Sequence, residues 1–247
     1  MRLREREPPH GPWATSRTSV ARPGRSKPQS AGRRTLRGTT GRLVPSCPRW
    51  SVADLMFHLA ATYLRLLHAR GLHDVLVVGS SLGGWVASEM AVRDTEGLVT
   101  GLVLIDAVGI HVGSEPIRDF FALDARGIAE YAWHDPARGY RDPALVPPEQ
   151  LAVQQANMAS LKILAGEPYM HDPELHGRLR HVDVPALLLW GESDRIVTPA
   201  YGAAYADAFA AGRLHVIPQA GHLPHLEQPE ATFALIDAHL RDGAARS

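Results

Sequence analysis

Ser81 has the surroundings that best suit a reactive side chain in this sequence. It is the central residue of Gly79-Ser80-Ser81-Leu82-Gly83, a Gly-x-Ser-x-Gly motif. The apolar run at residues 75–78 predicts a buried strand, and the pattern at residues 82–92 predicts a helix. A serine on such a sharp strand-to-helix turn projects from the end of the strand, where it can attack a carbonyl carbon. The motif therefore predicts Ser81 as a nucleophile.

The residues around Ser81 are predicted to supply space and a hydrogen-bond donor. Gly79, Gly83, Gly84 and Ala87 are small, as a strained turn packed against a helix requires. Because Leu82 begins the predicted helix, its backbone N–H is expected to stabilise a developing oxyanion. The motif alone arises by chance in chains of this length, so its specificity comes from the strand before it and the helix after it.

The rest of the chain predicts an α/β fold with a mostly parallel sheet flanked by helices, because strand and helix patterns alternate. Apolar runs predict strands at residues 75–78, 102–105, 186–190 and 214–217. Helical patterns lie at residues 82–92, 200–211 and 229–240. An earlier helix is predicted to begin at Ser51-Val52-Ala53-Asp54, which has the form of a capping box, and to end near Gly71.

The chain divides into two segments by composition, and the second contains an insertion. Residues 1–50 are rich in proline and arginine and are predicted to be a disordered basic tail, and residues 51–247 form the α/β domain. Residues 111–180 interrupt the alternation and predict an inserted helical cap. The large side chains of the cap either form its own core or line a substrate pocket. They are Phe120, Phe121, Tyr131, Trp133, Tyr140, Met158, Tyr169 and Met170.

Three motifs in chain order resemble the α/β-hydrolase family over about residues 51–240. They are the turn at Ser81, the segment Leu188-Leu189-Trp190-Gly191-Glu192-Ser193-Asp194-Arg195, and Pro218-Gln219-Ala220-Gly221-His222. In that family the acid follows a late strand and the histidine follows the last strand. The resemblance thus implies a catalytic triad of Ser81, Asp194 and His222, in which His222 is the general base and Asp194 orients it.

Other residues compete for these roles. Asp106 ends the strand at residues 102–105, and some members of the family place the acid there. His225 is the nearest alternative to His222. A metal site formed by His222, His225 and Glu227 is not expected, because no second segment has ligand spacing. Neither a metal nor another cofactor is implied, since acyl transfer by a triad requires none.

The N-terminal part departs from the family pattern. Family members have several strands before the serine turn and a His-Gly turn that gives the second oxyanion donor. Here His10-Gly11 echoes that turn, so Gly11 is a weak candidate donor, but its flanks do not resemble strands. The first strands are expected to be missing or degenerate, which leaves the activity of this chain open.

Charge and cysteine usage limit the partners and the location. Residues 1–50 contain twelve basic and two acidic residues, whereas the remainder contains fourteen basic and twenty-four acidic residues. The net negative charge of residues 51–247 does not favour binding to nucleic acid. The one cysteine, Cys47, excludes an internal disulfide, and no apolar run of about 18 residues predicts a membrane span. We expect a cytoplasmic protein that acts on a small molecule, with neither nucleic acid nor membrane as its partner.

The sequence predicts a serine hydrolase that cleaves a carboxylic ester or related acyl bond of a small apolar molecule. A carbon–carbon bond hydrolase of the same fold is an alternative, although such enzymes tend to have asparagine before the serine and tryptophan after the histidine. This chain has Ser80 and Leu223 at those positions. A catalytically impaired binding module on the same fold is a third possibility.

Overall fold

The computed structural model describes the backbone of residues 51–244. The predicted tail at residues 1–50, with Gly11 and Cys47, lies outside the described residues. The elements are α1 (Val52–Ala69), β1 (Val75–Ser80), α2 (Leu82–Arg93), β2 (Val99–Ile105), α3 (Ala125–Ala132), α4 (Pro136–Gly139), α5 (Pro148–Ala165), α6 (Leu175–Leu179), β3 (Ala186–Gly191), α7 (Pro199–Ala208), β4 (Gly212–Ile217), α8 (Pro224–Glu227) and α9 (Pro229–Ala244). Within residues 51–244, no helix is long and apolar enough to cross a membrane.

The four strands form one parallel sheet in the order β1-β2-β3-β4. All four lie where apolar runs predicted them, and helices α2, α7 and α9 follow β1, β3 and β4 as predicted. The predicted α/β class is therefore confirmed. The segment between β2 and β3 contains the helices α3 to α6, within the range predicted as a cap.

Both predicted ends of α1 are confirmed. The Asp54 N–H donates to Ser51 Oγ at 3.1 Å, and the Ser51 N–H donates to Asp54 Oδ2 at 2.9 Å, which completes the capping box. Gly71 has a φ of 61°, and the Leu72 N–H donates to the Leu67 carbonyl at 3.0 Å. The left-handed conformation at Gly71 ends the helix as the glycine predicted.

Alternate residues of the central strands pack on opposite faces of the sheet. Leu102 and Leu104 join the larger core cluster, which also includes residues of α1, α2 and α7. Val103 and Ile105 face the smaller cluster, to which α9 contributes Ile236. With both faces covered, the strands are apolar throughout, which explains why they were visible in the sequence as continuous runs.

The outer edge of β1 pairs with no strand among residues 51–244. Val78 on this strand is 51% exposed. Beside it lies an apolar groove of about 480 Å³, lined by side chains of α1, β1 and α2. Within the described part of the chain, the sheet thus begins at the strand that directly precedes the predicted nucleophile.

A largely buried cluster of charged side chains holds α2 against α6, the last helix of the inserted segment before β3. Glu89 on α2 is fully buried, and Arg178 on α6 donates to it at 3.1 Å. Arg178 also contacts Asp172, whose N–H donates to the Gly109 carbonyl at 2.9 Å. Because buried charges stay in place only when paired, this cluster fixes the helix whose first turn follows Ser81.

Candidate active site

The candidate site lies at the carboxyl edge of the sheet. Ser81 directly follows β1, and Asp106 directly follows β2. Asp194 lies three residues after β3, and His222 lies five residues after β4. Because the strands are parallel, their carboxyl ends meet at one edge, and the loops that follow them bring these four side chains together.

Ser81 has a strained backbone that its neighbours hold in place. Its φ is 52°, a region that favours glycine and that costs other residues about 1–3 kcal/mol. The Ser81 N–H donates to the Ile105 carbonyl at 2.9 Å, and the Ser81 carbonyl accepts from Gly84 at 2.9 Å and Val108 at 3.2 Å. These three hydrogen bonds fix the turn and aim the side chain out of the sheet.

The glycines of the motif have different tasks. A Cβ atom on Gly79 would overlap the backbone of Gly83, and one on Gly84 would overlap Ala107. A Cβ atom on Gly83 itself would meet no atom within 4 Å. The prediction that Gly79 and Gly84 supply clearance is therefore confirmed. The same prediction for Gly83 is wrong, because a side chain there would extend into open space.

Gly79→Ala is expected to destabilise the fold, whereas Gly83→Ala in the same motif is expected to be tolerated. The first change forces β1 away from α2, and overpacking of this kind typically costs about 1–3 kcal/mol. The second places alanine in the first turn of α2, where it favours the helix slightly. The free energy of unfolding in urea measures both, and equal values for the two variants would contradict this account.

The structure brings the three predicted residues of the triad into one hydrogen-bonded chain. His222 Nε2 lies 3.0 Å from Ser81 Oγ, and His222 Nδ1 lies 2.8 Å from Asp194 Oδ2. An ionised carboxylate only accepts hydrogen bonds, so a neutral His222 must carry its proton on Nδ1. Its Nε2 lone pair then faces Ser81, as a base that removes the hydroxyl proton requires.

Asp194 is held by its own turn. Its side chain is buried, and Oδ1 accepts from the N–H groups of Ile196 at 2.8 Å and Val197 at 3.2 Å. Oδ2 is thus the oxygen directed at His222. With the His222 ring, three N–H groups are directed at this carboxylate, which fixes its position beside the imidazole.

Asp106, the alternative acid, does not hydrogen-bond to His222. It is fully buried, and its Oδ1 accepts from the Gly191 N–H at 2.9 Å. Burial raises the pKa of Asp106 well above its ordinary value, and the nearby charges of Asp194 and Glu227 raise it further. The contact with the imidazole comes from Asp194, so the preference for Asp194 over Asp106 agrees with the geometry.

Glu227 joins the histidine loop to the inserted segment. Its buried carboxylate accepts from the N–H groups of Gly221 at 2.7 Å, His134 at 3.1 Å and Asp135 at 3.3 Å. These oxygens hold backbone, which explains Glu227 without a metal ion. Burial lowers the pKa of the neighbouring His225, and the closeness of His222 lowers it further.

Replacing Glu227 by glutamine is expected to destabilise the fold by about 1–3 kcal/mol, because the amide nitrogen cannot accept and leaves a buried N–H unpaired. Glu230→Gln is the matched control, since Glu230 is exposed at the start of α9. Urea unfolding of both variants measures the effect. Equal midpoints would show that the Glu227 hydrogen bonds contribute little.

The end of α3 contacts both loops of the triad. The Tyr131 carbonyl accepts from the Arg195 N–H at 3.0 Å, and the Ala132 carbonyl accepts from the His222 N–H at 2.7 Å. These contacts were not predicted. Every residue has a backbone carbonyl, so the sequence does not indicate which carbonyls accept hydrogen bonds from distant residues. The contacts show that the inserted segment helps to position His222 and the turn that carries Asp194.

Several aromatic residues of the inserted segment pack against one another. The rings of Phe120 and Phe121 lie 4.3 Å apart, and Tyr169 meets Phe121 edge-on at 6.3 Å. Tyr131 and Tyr140 each lie under an arginine guanidinium. For these residues, packing within the segment accounts for the side chain. Tyr169 also lines a cavity of about 180 Å³.

The predicted oxyanion donor, Leu82, is the first residue of α2. The first N–H groups of a helix have no acceptor within the helix, so this N–H is available to a ligand. Gly11, the weak candidate for a second donor, lies outside the described residues. The described site therefore offers the Leu82 N–H as its predicted donor.

Comparison with known proteins connects the chain to characterised relatives. It is 32% identical over 178 residues to 2-succinyl-6-hydroxy-2,4-cyclohexadiene-1-carboxylate synthase of Enterobacter sp. (strain 638), a match that covers 67% of this chain and 66% of that protein. It is 27% identical over 177 residues to the pimeloyl-[acyl-carrier protein] methyl ester esterase of Nitrosospira multiformis, covering 66% and 67%. The chain thus spans about two thirds of the length of these relatives.

A solved structure has the same fold. The crystal structure of a putative lipase from Acinetobacter baumannii AYE matches 83% of this chain and 72% of its own chain, with a TM-score of 0.61 and 19% identity. Residues 10–235 match the sequence profile described as the alpha/beta hydrolase family. The chain therefore belongs to the alpha/beta hydrolase family, which confirms the fold and the assignment to the hydrolases predicted from its sequence.

Proposed function

We propose that this protein hydrolyses a carboxylic ester of a small apolar molecule through Ser81, His222 and Asp194. The observation that carries the proposal is the continuous chain of hydrogen bonds, at 3.0 Å and 2.8 Å, from the Ser81 hydroxyl through His222 to Asp194. A free hydroxyl is a poor nucleophile at neutral pH, and this arrangement is how proteins activate it.

In the first step, Ser81 Oγ attacks the ester carbonyl carbon while His222 Nε2 takes the hydroxyl proton. The carbonyl oxygen becomes an oxyanion, which the Leu82 N–H stabilises. Asp194 stabilises the positive charge on the imidazolium. The tetrahedral adduct then collapses, His222 returns the proton to the departing alcohol, and an ester between Ser81 and the acyl group remains.

In the second step, water replaces the alcohol. His222 takes a proton from the water as its oxygen attacks the acyl carbon, and a second oxyanion forms in the same place. Collapse of this adduct breaks the bond to Ser81 Oγ, which recovers its proton from His222. The products are the free acid and the free alcohol, and the enzyme returns to its starting state.

The surroundings of Ser81 support an apolar substrate. The apolar groove beside β1 is lined in part by Leu82 and Gly83, which directly follow the nucleophile. The 180 Å³ cavity is lined by Ile110, Val112 and Ile117, in the segment that follows Val108. Val108 donates to the Ser81 carbonyl, so this segment begins beside the nucleophile. His111, Glu115 and His171 also line the 180 Å³ cavity. Mostly apolar walls with a few polar groups favour short aliphatic or aromatic acyl groups.

Hydrolysis of p-nitrophenyl esters of increasing acyl length tests the proposal. We expect turnover of the acetate and butyrate, with an early burst of p-nitrophenolate if the acyl-enzyme accumulates. A serine-directed fluorophosphonate should label the chain once, on the tryptic peptide that contains Ser81. A cooperatively unfolding protein that neither cleaves any ester of the series nor takes up the label would contradict the proposal and favour a binding module.

A further inference from the structure

Two carboxyl groups meet behind His222, and the proposed mechanism uses one of them. A carboxylate oxygen of Asp106, a carboxylate oxygen of Asp194 and a ring nitrogen of His222 all lie within 4.8 Å of one another. Both aspartates are buried, with 0% and 2% of their surface exposed. Asp106 ends β2, and Asp194 lies in the turn after β3.

Two negative charges are unfavourable at this place. No salt bridge from a lysine or arginine reaches either aspartate among residues 51–244. A third buried carboxylate, that of Glu227, adds to the negative potential. His222 is the basic side chain beside the pair, and its Nδ1 lies 2.8 Å from Asp194 Oδ2. Like charges in a buried site without cations are relieved when one group keeps its proton.

The hydrogen bonds decide which aspartate keeps the proton. Asp194 accepts three hydrogen bonds, from Ile196, Val197 and His222. Asp106 accepts one hydrogen bond, from Gly191, and its Oδ2 is buried with no partner among the described residues. A buried, charged oxygen without a hydrogen-bond donor is unfavourable. Protonation of that oxygen removes the negative charge and with it most of this cost.

We propose that Asp106 is a neutral carboxylic acid, protonated on Oδ2, and that it is the positioning residue for Asp194. Its Oδ1 holds the Gly191 N–H, at the start of the turn that carries Asp194. Its neutral state leaves Asp194 as the single negative charge beside His222. The kinetic consequence rests on the proposed function, whereas the protonation state does not.

Asparagine is the matched substitution, because it keeps the shape of the neutral acid. In Asp106→Asn the amide oxygen can still accept from Gly191, and the amide N–H group takes the place of the Oδ2 hydroxyl near Asp194. We expect kcat/KM within about threefold of the wild type. Asp106→Ala removes the acceptor for Gly191 and is expected to lower kcat by roughly tenfold to a hundredfold through misplacement of Asp194. Recovery by asparagine shows that the site needs the shape and the acceptor of Asp106 and not a negative charge at this position.

Infrared spectroscopy tests the protonation state without any substrate. At pH 7 the wild type should show the carbonyl stretching band of a buried protonated carboxyl group, and Asp106→Asn should lose it. Asp183→Asn, which changes an exposed carboxylate just before β3, should leave the spectrum unchanged. Absence of such a band from the wild type, or its persistence in Asp106→Asn, would overturn the proposal.

The pH profile of kcat/KM provides a second readout. A neutral Asp106 adds no charge beside His222, so Asp106→Asn should leave the midpoint of the profile in place. If Asp106 were ionised, its removal would make the imidazolium less stable and would move the midpoint to lower pH. A shift in that direction would overturn the proposal. If the protein cleaves no ester, the infrared band still decides, so the two proposals fail separately.

Discussion

Ser81→Ala is expected to lower kcat/KM for p-nitrophenyl butyrate by roughly 10⁴- to 10⁶-fold, which is the range for loss of a serine nucleophile. Alanine removes the atom that attacks the carbonyl carbon and leaves the rest of the site in place. KM should change little, because the acyl group contacts the walls of the site and not the hydroxyl. Steady-state release of p-nitrophenolate measures the effect, and fluorophosphonate labelling should disappear with it.

Ser80→Ala is the matched control. Ser80 is the last residue of β1, so the same chemical change is made one position away. This variant should hydrolyse the ester at close to the wild-type rate. The hydrogen bonds that fix the Ser81 turn are made by backbone groups, so Ser81→Ala should unfold at nearly the wild-type urea concentration. Substantial turnover by a folded Ser81→Ala variant would exclude Ser81 as the nucleophile.

The main elements were predictable because each has a local signal. Apolar runs predicted all four strands, and the signal is clearest for β2 and β3, which are buried on both faces. The capping box at Ser51 and the glycine at Gly71 mark the two ends of α1, since both act through backbone hydrogen bonds within a few residues. Parallel strands place their carboxyl ends at one edge, which agrees with the meeting of Ser81, Asp194 and His222 that the resemblance to the family implied.

The supporting contacts were not predictable, because they join residues far apart in the sequence. Glu227 holds the backbone of His134 and Asp135, which lie 93 and 92 residues before it. Asp106 accepts from Gly191, 85 residues away. The sequence presented both acids as candidates for other roles, as a metal ligand and as the triad acid. Their partners are backbone N–H groups, which every residue except proline has, so residue type gives no indication of them.

Asp194→Asn is expected to lower kcat on the order of 10⁴-fold, as the same change does in serine proteases, with little effect on folding. The reason lies in the turn that holds the side chain. Ile196 and Val197 both donate to Oδ1, so the asparagine must place its carbonyl oxygen there. Its NH₂ group then occupies the Oδ2 position, 2.8 Å from His222 Nδ1.

An NH₂ group at that position donates where the carboxylate accepted. The neutral imidazole must then present the lone pair of Nδ1 to the amide and carry its proton on Nε2. With Nε2–H directed at Ser81 Oγ, His222 cannot take the hydroxyl proton. The loss therefore comes from the wrong tautomer, and kcat should fall while KM stays close to its wild-type value.

Asp183→Asn serves as the control for removal of a carboxylate near the same strand, and it should hydrolyse the ester at the wild-type rate.

The activity of Asp194→Asn also decides which of the two aspartates, Asp194 or Asp106, orients His222. If Asp106 oriented the imidazole, Asp194→Asn would retain most of its activity and Asp106→Asn would lose it. Because the carboxylate at hydrogen-bond distance from Nδ1 is that of Asp194, we expect the reverse order, with Asp194→Asn far below Asp106→Asn in kcat.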